Sequence, residues 1–165
     1  MTDSERGGES LRSGGTMTKT NLLIVSCSKS KRSDPDLLPA IARYDGPTFR
    51  LIRRFIKLHP SANLDLWILS AKYGLISSDR AIADYDQKMT EIRAKELRSV
   101  ACLQLNEIVG SHSYERVLLC MGKTYLQSLE GFNLDSNTTI ARGGMGQKLG
   151  ELYRWLYGES SHERD

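Results

Sequence analysis

Two short polar motifs carry the residue types in this sequence that are best suited to chemistry. The first, SCSKSK, follows the apolar run NLLIV, and the second, SAKYGLI, follows the run LDLWIL. Hydroxyl and ammonium groups together suit an anionic or strongly polar ligand better than an apolar one, because they donate hydrogen bonds to negative oxygens. The ligand contacts expected from these motifs are Ser26, Ser28, Lys29, Lys31, Ser70, Tyr73 and Gly74.

The cysteine of the first motif, Cys27, has two interpretations. The neighbouring lysines favour its thiolate and therefore a reactive nucleophile. Free cysteine is also among the most buried residue types, which favours a packed structural role. The three histidines, His59, His112 and His162, fall at a helix end, in a loop and in a tail. None of them is placed as a base for Cys27, which argues against a Cys-His hydrolase.

The second motif continues into a long polar connection, SSDRAIADYDQKM. Long connections inside small domains are usually functional. An aspartate beside Lys72 would form an acid–base or ligand-orienting pair, so Lys72, Asp84 and Asp86 join the cysteine as candidate catalytic residues. Tyr73 and Tyr85 are candidate stacking partners for a base. The structural alternative is that the tyrosines pack the loop down while Lys72 is solvated.

Two glycine-containing turns follow later strand-like runs. CMGKTY lacks the first glycine of a phosphate-binding P-loop, and ARGGMGQK lacks the full spacing of a dinucleotide fingerprint. Each turn still joins a strand to a helix start, which is a common place for an anion. We expect contacts from Gly122, Lys123, Arg142, Gly143 and Gly144. No cluster of metal-ligating residues is evident, so we expect neither a cofactor nor a metal.

A basic segment offers a second kind of site. Residues 29–57 hold eight lysines and arginines against three aspartates. Within it, TFRLIRRFIKLH has apolar residues at helical spacing with arginines opposite, which predicts an amphipathic helix. Arg50, Arg53 and Arg54 would contact the phosphates of a nucleic acid. The alternative is a solvated helix face with no partner.

Strand-like and helix-like segments alternate along the chain. This order predicts an α/β fold, a three-layer and mostly parallel sheet with helices on both faces, in a single domain. Both polar motifs would then follow strand ends and face one crevice, where open sheets of this class bind ligands. The strands are expected over 21–25, 64–69, 116–120 and 138–141, and the helices over 48–59, 91–110, 123–129 and 148–157.

The length and composition indicate one soluble domain. The chain has 165 residues, of which 39% are hydrophobic and 26% are charged. Residues 1–20 and 159–165 are expected to be disordered tails around a domain over 21–158. No run approaches the ~20 apolar residues of a membrane helix, and no secretion signal is evident. Three widely spaced cysteines fit reduced thiols, so we expect a cytoplasmic protein without membrane contact.

The order of LIVSCSKSK, Y.GP.F and ILSAKYGLI...D....YD..M resembles a group of small bacterial and phage domains. It is more distantly similar to the YaaA family of peroxide-stress proteins, which carry an ISPAKT-like segment and an LSG.YG.L.P.D....Y..EM-like segment at comparable places. The resemblance covers most of residues 21–89. It implies a related α/β fold, DNA binding and a role in protection against oxidative stress.

A second similarity concerns the ligand. The spacing Cys27-Ser28-x-x-Lys31 is similar to part of a motif in archaeosine synthase, which modifies a deazaguanine base in transfer RNA. Arg32 and Ser33 stand where that motif has Pro-Tyr. The similarity implies a base or nucleotide as ligand.

Two functions are therefore carried forward. One is a pocket for a nucleotide, nucleobase or modified base, with base modification or glycosidic chemistry as the reaction if there is turnover. The other is a DNA-binding stress protein without chemistry, whose binding would depend steeply on salt.

Overall fold

The computed structural model describes residues 19–158, so most of the expected N-terminal tail and all of the expected C-terminal tail lie outside the described residues. The elements are β1 (Thr20–Ser26), β2 (Leu38–Pro39), α1 (Ala40–Arg43), α2 (Pro47–Leu58), β3 (Leu64–Ser70), β4 (Gly74–Ser77), β5 (Ala81–Ile82), α3 (Glu91–Ser111), β6 (Tyr114–Cys120), α4 (Lys123–Gln127), β7 (Thr138–Ile140) and α5 (Met145–Tyr157).

Five strands form the main sheet, in the order β4-β3-β1-β6-β7. The central strand β1 pairs in parallel with β3 and with β6, and β6 pairs in parallel with β7. The edge strand β4 runs antiparallel to β3. A separate two-stranded ribbon joins β2 to β5. The predicted α/β class and mostly parallel sheet are confirmed.

The central strand is apolar on both sides. Leu22, Leu23, Ile24 and Val25 are fully buried, as expected for an inner parallel strand. Leu23 and Val25 belong to one core cluster with residues of α2 and α5, whereas Leu22 and Ile24 belong to a second cluster with residues of α3. Because successive side chains of a strand point to opposite faces, we interpret the two clusters as the two sides of the sheet.

The strand order reverses direction beside β1. The chain passes from β1 to β3 on one side of it, and after α3 it returns to β6 on the other side. The loops that leave β1 and β6 therefore diverge at the carboxyl ends of these strands. In open α/β sheets a crevice at such a reversal is the usual ligand site.

One strand of the main sheet was not predicted from the sequence. Gly74–Ser77 forms the short strand β4, and the side-chain amide of Gln104 completes its outer edge. The Gln104 Oε1 atom accepts from the Leu75 amide at 3.0 Å, and Nε2 donates to the Leu75 carbonyl at 3.2 Å. Gly74 starts the strand with φ near +78°, and an added Cβ would lie 2.9 Å from Gln104 Oε1.

We expect Gly74→Ala to lower the free energy of unfolding by about 1–3 kcal/mol, because it strains the backbone and displaces the Gln104 amide. Urea denaturation measures the effect. Gly110→Ala is the matched control, since it lies inside α3 with no atom near the added methyl group, and it should stabilise the protein slightly. Equal stabilities of the two variants would contradict the proposed constraint at Gly74.

Candidate functional site

A cleft of about 550 Å³ opens at the carboxyl ends of β1 and β6. Its walls come from the first motif, the start of α2, the turn after β6 and the start of α5. The structure brings together here the predicted site residues Ser26, Cys27, Ser28, Lys29, Gly122 and Lys123. Further lining residues include Phe49, Met89, Met121, Thr124, Tyr125, Met145 and Lys148.

The charge of the cleft is entirely positive. Lys29, Lys123 and Lys148 line it, and its described lining residues include no aspartate or glutamate. None of the three lysines forms an ion pair within residues 19–158. The Lys148 ammonium group donates to the Gly143 carbonyl, which holds it near the start of α5. Positive charge in a concave site attracts an anion.

Apolar and aromatic residues also line the cleft. Met89, Tyr125 and Met145 are at least partly exposed, whereas Phe49 and Met121 have almost no solvent exposure. Small-molecule sites commonly combine apolar lining residues with a few well-placed polar groups, in volumes of about 300–1,000 Å³. The cleft therefore offers both charged and apolar contacts to a ligand.

The thiol of Cys27 faces the cleft but is buried, with 9% of the residue exposed. Its sulfur lies 3.2 Å from the Tyr125 hydroxyl. Burial raises the pKa of Tyr125, and the nearby Cys27 raises it further, so the phenol stays protonated at neutral pH and remains a hydrogen-bond donor. Burial also raises the pKa of the neighbouring Cys120 thiol to about 11.

Four predicted residues gather with Arg80 beside the cleft rather than inside it. The Lys31 and Lys72 ammonium groups lie 4.6 and 5.7 Å from the centre of the Tyr85 ring. The Tyr73 ring meets that ring edge-on at 5.5 Å, and the Arg80 guanidinium lies 4.8 Å from the centre of Tyr73. We call these five residues the tyrosine–cation cluster.

The tyrosine–cation cluster is anchored by a buried chain of hydroxyl groups. The Tyr85 hydroxyl is 2.8 Å from Ser70 Oγ and is also hydrogen-bonded to the Tyr44 hydroxyl. Ser70 Oγ accepts from the amides of Lys72 and Tyr73, each at 3.1 Å. Ser70 and Tyr44 have no solvent exposure.

The same chain of hydroxyl groups joins the tyrosine–cation cluster to the cleft. The Tyr44 ring packs 5.2 Å from Phe49, which lines the cleft. The cluster and the cleft therefore share one buried wall.

Tyrosine burial gives the protein a dependence on alkaline pH. Burial raises the pKa of Tyr44 to about 12, against about 10 in an unfolded chain. The resulting stabilisation is complete below pH ~10 and is lost as the pH rises through ~12, because only the unfolded chain ionises readily in this window. Phenolate absorbance should show a group near pH 12 that Tyr44→Phe removes. If the phenolate absorbance lost in Tyr44→Phe instead develops near pH 10, the raised pKa of Tyr44 is contradicted.

The predicted acid–base pair is not formed. Asp84 and Asp86 are exposed, and no ion pair joins either carboxylate to Lys72 in the described part of the chain. The second motif is instead fixed from α3, where Arg93 donates to the carbonyls of Ala71 and Lys72 at 2.7 and 2.9 Å.

Gly143 and Gly144 serve mainly to start α5. Gly143 adopts φ near +90°, and the Gln147 side chain fills the space where a Cβ would stand. The Gly144 amide donates to Gln147 Oε1 at 2.8 Å. Arg142 is exposed, and its amide donates to the Glu151 carboxylate at 3.3 Å. The cleft receives Met145 and Lys148 instead of Arg142, Gly143 and Gly144.

The three arginines of α2 differ in their surroundings. Arg53 donates to the carbonyls of Ile41 and Tyr44 and pairs with Asp45 at 2.8 Å. Arg50 lies 3.5 Å from the same carboxylate, and hydrogen bonds from Arg50 and Arg53 lower the pKa of Asp45. Arg54 is exposed. Arg53 therefore stabilises the fold through these contacts. The phosphate contacts of Arg50 and Arg54 stay a prediction.

The sequence analysis did not identify two residues that are important to the structure or the cleft. Arg43 looked like part of the basic surface, yet it has no solvent exposure and donates to four main-chain carbonyls. Lys148 lies one helical turn beyond Gly144, so its place in the cleft follows from where α5 begins. The spacing of a lysine one turn into a helix after a glycine turn is the signal that would have indicated it.

A cavity larger than the cleft lies elsewhere. It measures about 740 Å³, borders α3, β6 and the loop before β7, and has no lysine or arginine among its described lining residues. It does not sit at the carboxyl ends of the central strands, so we do not assign the site to it. Within residues 19–158, no cluster of three histidine, cysteine or acidic side chains is placed to hold a metal ion. None of the described helices is long and apolar enough to span a membrane.

Comparison with known proteins identifies the family without indicating its activity. Comparison with curated proteins finds no match. The model of a family of unknown function, DUF6884, matches residues 22–157, which include the whole cleft and all of the main sheet except the first two residues of β1. The chain therefore belongs to the DUF6884 family.

Proposed function

We propose that the protein binds a nucleotide in the cleft at the carboxyl ends of β1 and β6. The observation that carries this proposal is the set of three lysines, Lys29, Lys123 and Lys148, which face one cleft without a carboxylate among its described lining residues. The phosphate would lie among these ammonium groups. The base would contact the exposed parts of Tyr125, Met89 and Met145.

A bare phosphate would use only part of this site. The cleft volume of about 550 Å³ leaves room beyond the lysines, and apolar and aromatic residues also line it. Burial of a base against such residues contributes about 25 cal/mol per Å² of apolar surface. Lysine contacts with a doubly charged phosphate add charge-assisted hydrogen bonds, which are about twice as strong as neutral ones. A nucleotide uses both parts of the cleft.

The cleft offers few groups for acid–base catalysis. Its described lining residues include no carboxylate and no imidazole, and Asp84 and Asp86 lie outside it. The thiols of Cys27 and Cys120 and the phenol of Tyr125 also line the cleft. We therefore propose binding as the function, and we assign Cys27 and Tyr125, whose sulfur and hydroxyl oxygen lie 3.2 Å apart, to contacts with the base.

Calorimetric titration with the four 2′-deoxynucleoside 5′-monophosphates, the matching nucleosides and inorganic phosphate tests the proposal. We expect at least one monophosphate to bind more tightly than its nucleoside and than phosphate. Lys123→Ala should weaken that binding about tenfold, because one charge-assisted contact of ~1.5 kcal/mol is lost. Lys57→Ala, an exposed lysine on α2 outside the cleft, is the matched control. Equal affinities for nucleosides and monophosphates would contradict the proposal.

The alternative of duplex DNA binding predicts a different pattern. If α2 contacts phosphates, Arg50→Glu with Arg54→Glu should abolish duplex binding, and Lys123→Ala should not. Under our proposal, ligand affinity instead follows Lys123. A titration of the duplex at several salt concentrations separates the two, because contacts to several phosphates give a steep salt dependence.

A further inference from the structure

We infer that the tyrosine–cation cluster is a second phosphate-binding subsite beside the cleft. The ligand would then carry one phosphate on the 5′ oxygen and one on the 3′ oxygen of its sugar. A nucleoside 3′,5′-bisphosphate and a nucleotide within a single strand both have this arrangement. This inference rests on the proposed nucleotide-binding function of the cleft.

The cluster concentrates positive charge that the described residues leave unpaired. Lys31 and Lys72 both lie over the Tyr85 ring, and Arg80 lies over the adjacent Tyr73 ring. No ion pair involves Lys31, Lys72 or Arg80 within residues 19–158. Lys31 and Lys72 approach the same ring, so an anion bound beside this ring would gain attraction from both ammonium groups.

Hydrogen bonds to buried groups fix the Tyr85 ring and the turn that carries Lys72. Tyr85 is held through its hydroxyl by the buried residues Ser70 and Tyr44. The turn that carries Lys72 is held by the Ser70 hydroxyl on one side and by Arg93 on the other. Binding groups that are already ordered lose less entropy when a ligand arrives. Lysines on a free surface would lack this advantage.

The position of the cluster suits a second phosphate of the same ligand. Lys29 lines the cleft, and Lys31 stands two residues further along the same loop. The backbone of Lys31 pairs with that of Tyr44 in an isolated antiparallel β-bridge. The Tyr44 ring in turn packs against Phe49, which lines the cleft. Two residues of extended chain span at most about 7 Å. A ligand whose phosphates flank one sugar can therefore contact both sites.

Calorimetric titration of the full chain with 2′-deoxynucleoside 5′-monophosphates, the matching 3′,5′-bisphosphates and single-stranded trinucleotides tests the inference. We expect the bisphosphate to bind about tenfold more tightly than the monophosphate. The double variant Lys31→Ala, Lys72→Ala should reduce that ratio towards one. The matched double variant Lys57→Ala, Lys95→Ala, with two exposed lysines outside both sites, should keep it.

The outcomes separate the inference from the proposed function. Monophosphate binding with no gain from the second phosphate overturns the second subsite and leaves the cleft proposal standing. Absence of any monophosphate binding overturns both. A gain that survives Lys31→Ala, Lys72→Ala overturns the assignment to the cluster. If the gain requires these lysines, the affinity of the trinucleotide decides which kind of ligand the site takes. Tighter binding of the trinucleotide than of the bisphosphate identifies a single strand as the ligand. Equal affinities of the two compounds identify the free bisphosphate.

Discussion

Replacing Arg43 with methionine is expected to lower the free energy of unfolding by about 3 kcal/mol. Arg43 is fully buried and donates to the carbonyls of Arg32, Asp34, Asp36 and Ile82. Methionine has a similar length but no donors, so these carbonyls would lose their partner, at about 1–3 kcal/mol for each one left buried and unpaired. The loss is partly offset because a charged group no longer has to be buried.

Urea denaturation of Arg43→Met against Arg54→Met measures this effect. Arg54 is exposed on α2, so its replacement should change stability by less than about 0.5 kcal/mol. Because Arg43 fixes the loop that follows Lys31, the variant should also bind the nucleotide more weakly. Equal stabilities of the two variants would contradict a role for Arg43 in holding this loop.

Reversing the charge of Lys148 is expected to weaken nucleotide binding at least a hundredfold. Lys148 is half-buried in the cleft and shares it with two other lysines. Lys148→Glu replaces attraction to the phosphate by repulsion in a partly desolvated site, where such pairs are worth about 2 kcal/mol or more. Calorimetric titration measures the affinity.

The affinity for the uncharged nucleoside provides the internal control for Lys148→Glu. It should fall much less than the affinity for the nucleotide, because the nucleoside carries no phosphate. Lys95→Glu, on the exposed face of α3, is the matched surface reversal and should have little effect. If nucleoside and nucleotide affinities fall by the same factor, Lys148 supports the fold of the site rather than the ligand.

The strands of the main sheet were predictable wherever burial was continuous. LLIV and the runs that became β3 and β6 are apolar over four or more residues, and their ends were placed within two residues. β4 was missed because three of its four residues lie inside a motif that begins with polar residues and a turn. Its partner on the open edge is Gln104, about thirty residues away, and no local pattern indicates such a contact.

The site was predicted in its parts but not in its arrangement. The two motifs were expected to face one crevice. The structure puts residues 26–30 of the first motif in the cleft, and it puts Lys31 and the second motif beside the cleft. The reason is the strand order: β3 lies on the side of β1 away from β6, so Ser70 ends one strand away from the reversal. Arg43 was hidden because a charged residue beside other charges suggests a surface, whereas here main-chain carbonyls bury it.

Amide chemical shifts measured by NMR during a titration with the tightest-binding nucleoside monophosphate would locate the site most directly. The account predicts that the largest changes fall in residues 26–30, 121–125 and 145–148, which form the cleft. Small changes there, with the largest changes along α2 at Arg50 and Arg54 or around the cavity between α3 and β6, would contradict it.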